Sequence, residues 1–134
     1  MITIDPRSST PIYQQIVDKI KEDILRGILL PDQKMPSVRE LARLLPTNPN
    51  TVQKAYRELE RQKVIYSIRG KGSFIAAGFK NRIDQEKLQE ITETLKRSII
   101  EAHYLGVDQN KIQNIINKIY QEITPIKTEP KTNI

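Results

Sequence analysis

The sequence predicts a mainly α-helical chain with one small β element, and three observations carry that prediction. Residues 36–60, PSVRELARLLPTNPNTVQKAYRELE, read as two short helices separated by a tight turn. Soon after them comes RGKGSF, Arg69 to Phe74, a glycine-bracketed hairpin signal between runs rich in β-branched and aromatic residues. From Asp84 onward, two long apolar stripes repeat at helical spacing. Together these give an N-terminal winged helix-turn-helix with a small β wing, followed by a C-terminal two-helix dimerisation region. The boundaries fall at residues 1–78 for the winged part, 79–124 for the helical part and 125–134 for a polar, proline-broken tail expected to be disordered.

In chain order, residues 1–9 are a short arm over the core. Thr10-Pro11 begins a helix in which Ile12, Ile16, Ile20, Ile24 and Ile28 recur every four residues, widened by Tyr13, Val17 and Leu25; Gly27 and Pro31 mark its end. That stripe reads as core rather than as a ligand face. Ser37 caps the next helix and starts a Ser-x-x-Glu capping box with Glu40, which places Leu41, Leu44 and Leu45 on one face. Pro46 biases Leu45 away from helical angles, and Asn48-Pro49 restarts the chain as an N-cap with proline in the first helical position. In the helix that follows, Val52, Ala55, Tyr56 and Leu59 face inward. Val64 to Ile68 and Ser73 to Ala76 form the two wing strands, and residues 77–82 read as a basic connector. Asp84 then caps a helix carrying Leu88, Ile91, Leu95, Ile99 and Ala102; Gly106 stops it. Asp108 caps the last helix, with Ile112, Ile115, Ile116, Ile119 and Ile123 on one stripe and Thr124-Pro125 at its end.

The chemistry of the second motif helix points to DNA. Asn50, Thr51, Gln53, Lys54 and Arg57 are left outside its apolar stripe. Thr and Gln can bond base edges, Gln to adenine in particular, while Lys and Arg neutralise phosphates or approach guanine. At the wing, Arg69, Gly70, Lys71 and Gly72 form a basic loop whose glycines let backbone come close to a phosphate or a narrow groove. Charge follows the same division. Residues 34–71 hold nine Lys/Arg and three Asp/Glu, a local net of +6 equal to that of the entire chain. A solubilising excess would be spread evenly; this one is the footprint of a duplex-binding face.

Residues 11–76 resemble the DNA-binding domain of the GntR family of bacterial transcription regulators. The resemblance rests on a long first helix, PSVRELA, TVQKAYRELE and the GKGSF wing, in the family's order and spacing. It implies that Arg39 contacts DNA, and that Asn50, Thr51, Gln53 and the Gly70-Lys71-Gly72 loop supply the other contacts. Ser37 and Asn48, at the starts of the two motif helices, complete the expected DNA-binding set. Many members carry arginine where this chain has Pro49 and Gln53, so their arginine–guanine readout and their operator sequences do not transfer. The short C-terminal helix pair resembles the YtrA-type branch of the family, which implies dimerisation through that pair and regulation of ABC transporter genes. A repressor binding an inverted-repeat operator as a homodimer is the expected function.

Size supports the dimer reading. An appendage of about 45 ordered residues is below the size that buries a sufficient core alone. Leu88, Ile91, Leu95, Ile99, Ile112, Ile115, Ile116 and Ile119 are the expected interface. The alternative is that both helices fold back on the winged part of the same chain. With no cysteine, disulfides and thiolate sites are excluded, and no cofactor or metal is expected. The N-terminal MITIDPRSSTP has neither basic leader nor apolar core, and no run reaches the ~18 apolar residues of a membrane span. A cytoplasmic location without membrane partner is expected.

Two other functional classes compete. An enzyme finds little support: the one histidine, His103, has no catalytic partner at suitable spacing, and Gly70 to Ser73 lacks both the first glycine and the following helix of a phosphate loop. A protein-interaction module that uses the winged fold without specific DNA binding is opposed by the charge on residues 34–71. A small-molecule effector, if one signals to this protein, would bind at the dimer helices or between domains, and no convergent polar cluster there identifies it.

Overall fold

Capping chemistry and apolar spacing cut the described residues into seven elements. A computed structural model describes residues 3–77 and 84–125; the basic connector from residue 78 to 82 and the tail beyond Pro125 lie outside them. The elements are α1 (Ile12–Leu25), α2 (Val38–Leu44), α3 (Pro49–Arg61), β1 (Ile65–Ile68), β2 (Gly72–Ile75), α4 (Gln85–Tyr104) and α5 (Gln109–Ile123). They divide into two compact units, α1 to β2 and α4 to α5.

In the first unit α3 packs against α1, α2 and β1. Its core is Ile16, Val17 and Ile20 of α1, Leu41 and Ala42 of α2, Val52, Ala55, Tyr56 and Leu59 of α3, with Met35, Val64, Ile65 and Ile75 closing the sheet side. The first helix begins one residue later than expected, at Ile12 with Pro11 as its N-cap, and ends at Leu25. Its end is a Schellman turn: the N–H of Gly27 donates to Ile24 O and that of Ile28 to Asp23 O. Ile28 therefore lies beyond the helix and is exposed, not part of the stripe. Leu44 also departs from expectation, being 59% exposed. With α2 only two turns long, the buried row is Leu41 and Ala42, and Leu45 packs against it from the C-cap. The N-terminal arm does lie on the core through Ile4, held by Gln15, whose amide both donates to Asp5 O and accepts from the Asp5 N–H at 2.9 Å.

The sheet is the two-stranded hairpin, with one further backbone segment bonded to its edge. β1 and β2 pair antiparallel with Tyr66 opposite Phe74 and Ser67 opposite Ser73. Residues 32–35 run along the outer edge of β2. Met35 N–H donates to Ser73 O at 2.8 Å, Ile75 N–H to Gln33 O at 2.9 Å and Asp32 N–H to Ile75 O at 2.8 Å. Lys34 forms a single antiparallel bridge with Phe74 in this edge segment.

In the second unit both helices start on aspartate caps. Asp84 accepts from the N–H groups of Glu86 and Lys87, and Asp108 from that of Lys111. Gly106, at φ +81°, closes α4 in a second Schellman turn, with Val107 N–H donating to Ala102 O. No residue of α4 or α5 is buried.

Candidate nucleic-acid interface

The two motif helices are positioned by their own first turns. Ser37 Oγ accepts the Glu40 N–H at 3.1 Å, and Asn48 Oδ1 accepts the Asn50 N–H at 2.8 Å. Each side chain thus spends an acceptor on its helix and keeps its donor for an outside oxygen: the hydroxyl proton of Ser37 and the amide of Asn48. The helices are locked together by Tyr56. Its hydroxyl donates to Pro36 O at 2.6 Å, tying the middle of α3 to the approach to α2. Burial, helped by the charge of Glu40, pushes that phenol far above the ordinary tyrosine range, so it remains a donor.

Along α3 the inner face is fully committed to the core, and Asn50, Gln53, Lys54 and Arg57 are exposed, with Thr51 half-buried beside them. The cations on this helix differ in freedom. Arg61 is held by Glu58, with Nε 2.9 Å from Oε2. That bond, reinforced by Gln62, lowers the Glu58 carboxyl to about 2. Lys54 lies over the ring of Tyr13 on α1, its Nζ 4.0 Å from the centroid. Arg57 makes no ion pair among the described residues. On α2, Arg39 is exposed, and Arg43, one turn further on the same face, joins it around a shallow depression completed by Ala42, Thr47 and Pro49. Arg43 was legible as the i+4 partner of Arg39 but is missing from the expected set; so is Tyr13.

The wing is a tight turn on a stacked base. Lys71 N–H donates to Ile68 O at 2.9 Å, and Gly70 takes φ +79° in the turn. Tyr66 stacks on Phe74 with centroids 5.5 Å apart, and the Tyr66 hydroxyl donates to Asp32 Oδ1 at 2.9 Å. Arg69, Gly70, Lys71 and Gly72 are all exposed. Of the nine Lys and Arg between residues 34 and 71, Arg61 is the one engaged by a carboxylate among the described residues. The excess positive charge is therefore uncompensated.

The helical unit has a different character. Leu88, Ile91, Leu95, Ile99, Ile115, Ile116 and Ile119 are each at least one-third exposed, with Leu95 at 52% and Ile99 at 50%, while Ile112 is half-buried. No described helix is long and apolar enough to cross a membrane.

Comparison with known proteins places this geometry. Residues 12–75 match the model of "Bacterial regulatory proteins, gntR family". The HTH-type transcriptional repressor YtrA of Bacillus subtilis is 50% identical over 123 residues, covering 92% of this chain and 95% of that protein. The chain belongs to the GntR family. This GntR protein is thus a DNA-binding transcription regulator of the YtrA type and not an enzyme. Its structure resembles that of a transcriptional antiterminator from Listeria monocytogenes, with a TM-score of 0.86 and 42% identity over 96% of this chain and 98% of that one. The DNA-binding domain of AraR in complex with operator ORX1 is similar at a TM-score of 0.50 and 36% identity, over 54% of this chain and 89% of that one.

Proposed function

We propose that this GntR protein is a cytoplasmic repressor that binds an inverted-repeat operator as a homodimer. Ser37, Arg39, Asn48, Asn50, Thr51, Gln53, Lys54, Arg57 and the loop from Arg69 to Gly72 meet the DNA. The observation that carries the reading is the division of α3, whose inner face is consumed by the core while amide, hydroxyl and cationic groups stand outward beside unpaired arginines of α2. Such groups suit major-groove base edges and phosphates. AraR, bound to its operator, offers a precedent for a related domain. Dimerisation is supported by two apolar stripes whose residues are left exposed or half-buried among the described residues. The family branch further suggests ABC transporter genes as targets.

The test is selection of duplexes from a random pool, followed by titration of the enriched site. An inverted repeat should emerge, and Gln53→Ala should relax one base pair in each half, costing about 1–3 kcal/mol on the cognate site. Lys71→Ala should instead weaken all sequences alike and flatten the salt dependence by about one unit. A pool that stays random would sink specific DNA binding. A Gln53→Ala protein selecting the parental motif would remove Gln53 from base readout.

A further inference from the structure

Lys34 lies outside every motif, yet its place in the sheet points it at the wing. It forms an isolated bridge opposite Phe74 on the edge of β2, so its diagonal neighbour is Gly72, two residues nearer the hairpin tip. The side chain takes that diagonal. A Cβ built on Gly72 would stand 3.2 Å from Lys34 Cε and 4.0 Å from Nζ, which puts the ammonium beside the loop that carries Arg69 and Lys71. Gly72 thus serves two ends: it adopts φ +109°, and its missing side chain leaves the channel in which the lysine stem lies. The residue is exposed and forms no ion pair among the described residues. The acid two positions earlier, Asp32, is engaged by the Tyr66 hydroxyl.

From this placement the geometry points to Lys34 as a phosphate-binding residue of the wing, supplied by a segment almost forty residues before it. The inference rests on the DNA-binding reading above. Lys34 and Lys71 then straddle Gly72, so the wing meets the sugar-phosphate backbone with charge from both of its edges. Because a point charge on a flexible stem reads no base, the contribution is to affinity and salt dependence and not to sequence choice.

Fluorescence anisotropy with full-length protein, titrated on its selected duplex and on a random one between about 50 and 200 mM salt, tests this. Lys34→Ala should weaken both duplexes by the same factor and reduce the slope of log K against log salt by about one unit; with Lys71→Ala the loss should be about two. Lys34→Arg should keep the parental slope. Lys87→Ala, removing a cation on α4, should also keep it. A Lys34→Ala slope equal to the parent's, in a protein whose parent binds DNA normally, would overturn the role of Lys34 and leave the DNA-binding reading standing. An equal loss from Lys87→Ala would overturn it too, by showing a general net-charge effect. A parent without duplex binding would bring down both.

Discussion

Ile99→Asp is expected to turn the protein into a monomer and to lower its affinity for an inverted repeat by about 10²–10⁴, with no DNA-contacting residue changed. The reasoning begins with exposure. Ile99 stands in the stripe of Leu88, Ile91 and Leu95 on α4, and α5 offers Ile115, Ile116 and Ile119. If these faces close against a second copy, a carboxylate placed among them loses hydration without gaining a partner, which is costly. Two winged units linked across a two-fold axis would address successive major grooves about 34 Å apart. Unlinked, each half-site is held by one unit's contacts alone. Ile116→Asp should behave alike. A protein ending at residue 78 should keep the winged core folded and show the same weak, salt-sensitive binding. Sedimentation together with operator titration decides it: a parent that is monomeric at micromolar concentration, or a variant that binds the repeat as tightly as the parent, would remove the dimer from the mechanism.

Leu59→Ala should unfold the winged unit more readily than any change on its surface. Leu59 is fully buried at the point where α3 meets the rest of the core, and its carbonyl accepts the Val64 N–H at 2.9 Å where the chain turns into the sheet. Truncating a buried leucine costs about 2–5 kcal/mol, while a unit of this size has in all about 4–11 kcal/mol. At about 4–8 °C per kcal/mol for a small domain, the melting temperature should fall by roughly 10 °C or more. Leu44→Ala, at an exposed position, should stay within about 0.5 kcal/mol of the parent. Equal melting shifts for the two leucines, followed by circular dichroism, would contradict the core described above.

The contrast between those leucines shows how much of the molecule is written locally. Caps are: Ser37, Asn48-Pro49, Asp84, Asp108 and Gly106 each act on the few residues next to them, and all sit where the sequence puts them. The inward row of α3 is equally legible because thirteen residues give a clear period. Leu44 was misjudged because two turns of α2 are too short for periodicity to say which leucine the core takes. The edge segment is not legible for another reason. Asp32-Gln33-Lys34-Met35 has no β-branched or aromatic residue, and its pairing comes from β2 and not from its own propensity. The position of Lys34 depends on that pairing and is equally absent from local sequence. The contact of Lys54 with Tyr13 depends on how α1 and α3 cross, which spacing within either helix does not encode.

That edge segment also bears on the order in which the unit assembles. The turn from Ile68 to Lys71 closes over three residues, and α2 joins α3 through a short turn, so the hairpin and the helix pair are local events. The segment at residues 32–35 must find β2 across the whole of α2, α3 and β1, and the Tyr66 to Asp32 bond spans 34 residues. Closing so long a loop costs entropy before any contact repays it, so that edge is expected to be set after the hairpin. Until then β2 has β1 as its single partner, the marginal condition of an isolated two-stranded ribbon. On this ordering the wing is expected to gain its outer edge only after the intervening α2 and α3 have formed.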